Sequence, residues 1–163
     1  MNGASITFNV NGLVKLAGRT KRFLDAAADK TLLLETIGSA LVANVRLRFD
    51  KGQAPDGTPW LPVKRGGSPL NNRGLLRDSN TYAVGSDSVR VGTNHIEGPV
   101  HQFGATIRPK KAKALAFTVR GTVVFAKKVT IPARPFLGIG PEDKSAIRGS
   151  IADVLRLARQ RAN

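Results

Sequence analysis

Pro55-Asp56 and Glu142-Asp143-Lys144 together carry the letters of a metal-dependent nuclease site, a Pro-Asp followed by Glu-x-Lys. Such chemistry holds a divalent cation between carboxylates supplied by neighbouring strands. Here the two pieces lie 86 positions apart, one in a loop and one at a helix start. Glu142 and Asp143 are already accounted for as first-turn helix residues, where negative charge is favoured. The histidines offer less. His95 and His101 are the only two, with Glu97 between them, and this acid-poor stretch supplies too few ligands for a metal. No serine sits in a Gly-x-Ser-x-Gly turn, and His101 has no nucleophile beside it in sequence to activate. The glycines form neither Gly-x-Gly-x-x-Gly after a strand nor a phosphate loop closed by Lys and Ser or Thr. The expectation is a protein that is not an enzyme, with no catalytic residues, no metal and no cofactor.

Charge is the stronger signal. The 163 residues hold 26 Lys and Arg against 11 Asp and Glu, a formal net charge of +15. The excess concentrates in residues 81–140, where nine basic residues face two acidic ones. Such an imbalance implies an anionic partner, either nucleic acid or an acidic protein surface. Arg108, Lys110, Lys111 and Lys113 place four positive charges in six residues, and Lys127 and Lys128 fall on the facing half of the same expected hairpin. Without an interleaved aromatic to stack on bases, contacts to DNA from these six would be to phosphates. A solvated hairpin tip and docking onto an acidic partner are the other readings of the same residues. The absence of cysteine removes disulfides and thiolate metal sites. No apolar run reaches the length of a membrane span, and the first residues lack the pattern of a secretory signal, so a protein with no membrane association, made in the cytoplasm, is expected.

Periodicity supplies the elements that carry these residues. Ser5 to Val10 alternates as a short strand. Leu13, Leu16, Ala17, Phe23, Leu24 and Ala27 fall on one face of a first helix. Leu33, Ile37, Leu41, Val45 and Phe49 repeat every four residues in a second, from about 31 to 49, with Arg46 and Arg48 near its negative pole. Residues 50–80 are rich in Pro and Gly and lack a period, which predicts a long irregular loop that is either functional or ordered only when bound. Trp60 lies within it, as a pin to the core rather than a ligand contact. Tyr82 to Val91 predicts one β-hairpin, and Leu115 to Ile131 a second, turning at Arg120-Gly121. A short turn or helix between His95 and Phe103 ends at Gly104. Pro141 opens a last helix over 141–160, its apolar face formed by Ile147, Ile151, Val154, Leu155 and Ala158. The sum is a single α+β domain over 1–163: two N-terminal helices and a C-terminal helix packed on a small antiparallel sheet built from two hairpins, with a basic loop at 105–114.

The segment Ile131-Pro132-Ala133-Arg134-Pro135-Phe136-Leu137-Gly138 joins hairpin to helix. Pro132 and Pro135 fix φ and hold Ile131 and Arg134 extended, so the segment is a stiff rod that aims Arg134 in one direction. Four blocks resemble the phage virion morphogenesis (tail completion) family of Mu-like tailed phages. They are Arg48-Phe49 with Pro55-Asp56-Gly57 and Trp60-Leu61-Pro62; Leu75-Leu76-Arg77-Asp78-Ser79; Val89 to Thr93 with His101-Gln102-Phe103-Gly104; and Pro132 to Gly138 with the closing helix. A glycine usual in the second block is missing around Arg77-Asp78.

The resemblance implies a structural virion protein, a tail completion or neck subunit without an active site. It would assemble as a homo-oligomeric ring, a hexamer rather than a dodecamer, at the head-tail junction. Its partners would be adjacent connector and tail-tube proteins, with non-specific contact to packaged DNA. Arg134, Phe136, His101, Gln102 and Trp60 are the expected interface residues, with Arg134 reaching a neighbour and Phe136 anchoring the rod. On that reading Arg134→Ala spares the monomer fold. A basic nucleic-acid-binding structural protein, ribosomal or nucleoid-like, is the alternative.

Overall fold

The four-residue spacing from Leu33 to Phe49 produces a helix, α1, over Lys30–Lys51 in a computed structural model that describes residues 3–9, 30–63, 66–119 and 121–161. Leu33, Leu34, Ile37, Leu41, Val42, Val45 and Phe49 are all buried along it. At roughly 1.5–3 kcal/mol for each fully buried side chain, this stripe is a major apolar contribution to the fold. The first helix expected from Leu13 to Ala27 lies outside the described residues.

One face of α1 covers an antiparallel sheet of three strands in the order β1-β3-β2: β1 Ala4–Asn9, β2 Asn80–Val84 and β3 Ser88–Thr93. Register places Ile6 and Tyr82 opposite Val91, and Ala4 and Asn80 opposite Thr93. These rows face the helix, whereas Ser5, Thr7, Thr81, Ala83 and Arg90 alternate with them and are exposed. Gly38 lets α1 approach closely, since a Cβ there would collide with the Tyr82 ring and Val89. The second long helix, called α4 below, covers Pro141–Arg161 and packs on α1. This refines the expected arrangement: the C-terminal helix rests mainly on another helix, and α1 lies between it and the sheet.

Between these layers the chain makes two short helices, α2 Leu75–Asp78 and α3 Gly98–Phe103. Two further pairs of strands follow. Strands β4 Ala105–Ile107 and β7 Val129–Ile131 pair with each other, and β5 Leu115–Val119 pairs with β6 Thr122–Ala126. Both expected hairpins therefore form, but in separate sheets. The expected strand from Val123 to Ile131 divides at Lys127-Lys128, its second half turning to pair with β4. The fold class is α+β.

The 50–80 loop is more ordered than its composition suggests. Gln53 and Pro59 form a bridge, and Ala54, Gly57 and Trp60 donate backbone hydrogen bonds that close a tight turn between them. Ala54 and Trp60 belong to the core.

Candidate functional site

The rod from Ile131 to Gly140 is where the segments of the chain converge. Arg48, one turn before the end of α1, is buried beside Asp143 in the first turn of α4, their side chains 2% and 1% exposed. The Arg48 guanidinium donates to Asp143 Oδ2 and to the carbonyls of Phe136 and Gly138, at 2.9 and 3.3 Å. Asp143 in turn accepts the backbone N–H of Gly140 at 2.7 Å and the Asn44 amide at 3.0 Å. That backbone contact is one half of a capping box at the start of α4. Every charge in the cluster is thus paired and hydrogen-bonded, which is the condition for tolerating it in a core.

Gln102, from α3, clamps the middle of the rod. Its side-chain oxygen accepts the N–H groups of Phe136 and Leu137, both at 3.0 Å, while its amide donates to Leu137 O at 2.9 Å. Phe136 is fully buried against Phe49, ring centroids 5.3 Å apart, and Phe49 meets Trp60 edge-on at 5.5 Å. Trp60 Nε1 donates to Pro135 O at 3.0 Å, pinning the loop to the rod. Pro55 completes the closure: a Cβ on Gly140 would collide with its carbonyl oxygen, and one on Gly138 with its ring. The glycines of Gly-Ile-Gly are there for this close approach.

The structure corrects the direction of Arg134. Its side chain turns inward, Nε donating to Leu61 O at 2.9 Å and Nη2 to Pro62 O at 3.1 Å, and its own N–H donates to His101 O at 2.7 Å. It is buried, and burial lowers its pKa from the usual arginine value. What the rod aims Arg134 at is the 60s loop of the same chain. Trp60 and Phe136 are buried within the chain, and Gln102, half-buried, holds Phe136 and Leu137. His101 is half-buried, 3.9 Å from Glu97. Burial lowers its pKa foremost, Glu97 opposes that, and Arg134 and His95 add to it. Its Nδ1 is buried without a hydrogen-bond partner.

The six cations lie elsewhere. Arg108, Lys110, Lys111 and Lys113 occupy the connection from β4 to β5, and Lys127 and Lys128 the connection from β6 to β7; all six are exposed. Register puts Ile107 opposite Val129 and Leu115 opposite Ala126, so both connections meet at the base of the β5–β6 hairpin, away from its Gly121 turn.

The nuclease-like letters come closer in space than 86 positions suggest, because Pro55 packs at Gly140. Their carboxylates are nevertheless committed separately. Asp56 accepts the Thr58 N–H at 2.9 Å, which with the Thr58 side chain lowers its pKa; Glu142 pairs with Lys51 at 2.9 Å, which lowers its own; and Asp143 holds Arg48. Among the described residues no cluster of three His, Asp or Glu could hold a metal ion, and no helix is long and apolar enough to cross a membrane.

The Arg48–Asp143 pair is the functional feature that the sequence reading missed. The signal was available: Arg48 falls seven residues after Leu41 and three after Val45, on the apolar stripe of α1, so a buried anion had to meet it.

Fold and site together define an α+β protein whose buried polar groups knit loop, rod and helices into one joint, with an outlying basic hairpin. The phage virion morphogenesis family matches residues 13–156, and the chain belongs to that family. It is 29% identical over 153 residues to Mu-like prophage FluMu G protein 2 of Haemophilus influenzae, a match spanning 93% of this chain and 97% of that protein. No solved structure matches it.

Proposed function

We propose that the chain is a tail completion or neck subunit, assembling as a ring, hexameric rather than dodecameric, at the head-proximal end of a phage tail. It forms in the host cytoplasm and stays in the virion at the head-tail junction, between connector and tail-tube proteins, with non-specific contact to packaged DNA. The observation that supports this most is the division of the chain. One part is a closed joint in which Arg48, Asp143, Gln102 and Arg134 find partners within the chain; the other is a hairpin that packs on little else and carries six cations at its base. A rigid body with a projecting arm suits a subunit that meets copies of itself through unlike faces of the body, as closed rings require, and leaves the arm for a different protein.

The second reading, a basic nucleic-acid-binding structural protein, draws on the same six cations. Native mass measurement and negative-stain microscopy of the purified protein separate the two. Closed rings with weak duplex binding are the expected result. A monomer at all concentrations that binds duplex tightly, with affinity falling steeply as salt rises, would overturn the ring and favour the second reading.

A further inference from the structure

The β5–β6 hairpin is unusual in both its faces. Residues directly opposite in an antiparallel pair share a face. Ala116 with Phe125 and Thr118 with Val123 therefore line one side, and Leu115, Phe117, Val119, Val124 and Ala126 belong to the other, with Thr122 at its tip. Phe125 is 71% exposed, Val123 58% and Phe117 37%. A solvated hairpin ordinarily keeps at least one face polar, and a two-stranded hairpin alone in water is marginal. This one packs extensively on no other described element, and each strand leaves one edge unpaired.

Charge identifies what covers it. None of the six cations at the hairpin base forms an ion pair with a described residue, so the arm has no internal counter-charge. A second copy of this chain is poorly fitted to supply one. Of its nine described acidic residues, six already lie within ion-pair distance of a Lys or Arg, leaving Glu35, Asp56 and Glu97, the last beside a His101 that burial disfavours protonating. Asp56 is turned onto Thr58. Duplex DNA would answer the cations with phosphates, yet it would leave Phe125 and Val123 in water. An occupant that satisfies both features is a protein with an apolar cleft rimmed by carboxylates.

We propose that the β5–β6 hairpin is a docking arm for an acidic virion protein other than this chain: Phe125 and Val123 enter its apolar cleft, and its carboxylates meet the cations at the hairpin base. The unpaired edges allow a strand of that partner to extend the ladder. This rests on the proposed virion role.

The test places a photo-crosslinking phenylalanine analogue at Phe125 in phage particles assembled from the full set of virion proteins. The cross-linked product is then identified by mass spectrometry. The expected product joins Phe125 to one other virion protein, within a segment rich in Asp and Glu. Its yield should fall about tenfold in K127E/K128E, which reverses the charge at the hairpin base. Melting of both variants in isolation should match the parent, which separates lost docking from lost folding. A cross-link to a second copy of the chain, to DNA, or to an acid-poor segment overturns the arm, as does its absence from particles that contain the chain. Particles that assemble and infect without the chain overturn the virion role itself, and with it the arm.

Discussion

Arg48 carries the heaviest single load, because its guanidinium bridges an acidic residue of α4 and two carbonyls of the rod. Arg48→Met removes the cation and leaves the Asp143 carboxyl in the core without its partner. The expected loss is about 3–5 kcal/mol in urea unfolding, with much of it recovered when Asp143→Leu is added, since burying neither charge is far cheaper than burying one. Arg134 belongs to the same scale. With its side chain bound to Leu61 and Pro62 of its own chain, Arg134→Ala is expected to lower stability by about 1–3 kcal/mol, contrary to the outward-pointing reading. An unchanged melting temperature would restore that reading. His101 sets the pH response. Burial holds its folded pKa below the ordinary 6.5, so the unfolded chain takes up the proton more readily. Stability is therefore full above that value and is lost as pH falls from about 6.5 toward the folded pKa. Urea midpoints at about pH 7.5 and about pH 5.5 should differ, and His101→Gln should reduce the difference.

At the scale of elements, the hairpin and the body separate. Because β4 and β7 pair directly, Arg108–Lys128 can be replaced by an Asn-Gly turn that joins Ile107 to Val129 as a simple two-residue hairpin. Stability of the body should change by less than about 1 kcal/mol, because the excised strands pack mainly on each other. A large loss of cooperativity would show that the arm is part of the core. The same separation explains what could be read from sequence. Helix α1, both hairpins and α4 follow from local periodicity, which depends only on side-chain spacing. Which strands share a sheet depends on contacts between distant residues, such as Ile6 with Val91, and Lys127-Lys128 gives no local sign that β7 leaves β6 for β4. The joint was legible in part. Phe136 read as an anchor because aromatics seek the core. Arg134 misled because proline fixes the backbone of a segment without fixing which side its cation finds partners on.

For the whole molecule, the charge of +15 would give the proposed ring assembly and any nucleic-acid binding opposite salt dependences. Bringing copies of one strongly basic chain together accumulates like charge, and that repulsion is long-ranged at low ionic strength. The screening length is about 30 Å at 0.01 M salt and about 10 Å at 0.1 M, so added salt removes much of the penalty. Apolar contacts between subunits are not weakened in the same way. Binding to phosphates runs the other way, because salt restores the counterions that binding releases. A purified sample taken from about 0.02 M to about 0.5 M salt should therefore gain oligomer, by sedimentation or mass photometry, while it loses duplex DNA in a retention assay. Oligomer that dissolves with salt in step with lost duplex would mean that nucleic acid bridges the copies. The subunits would then meet through an anion held between them rather than through faces of their own.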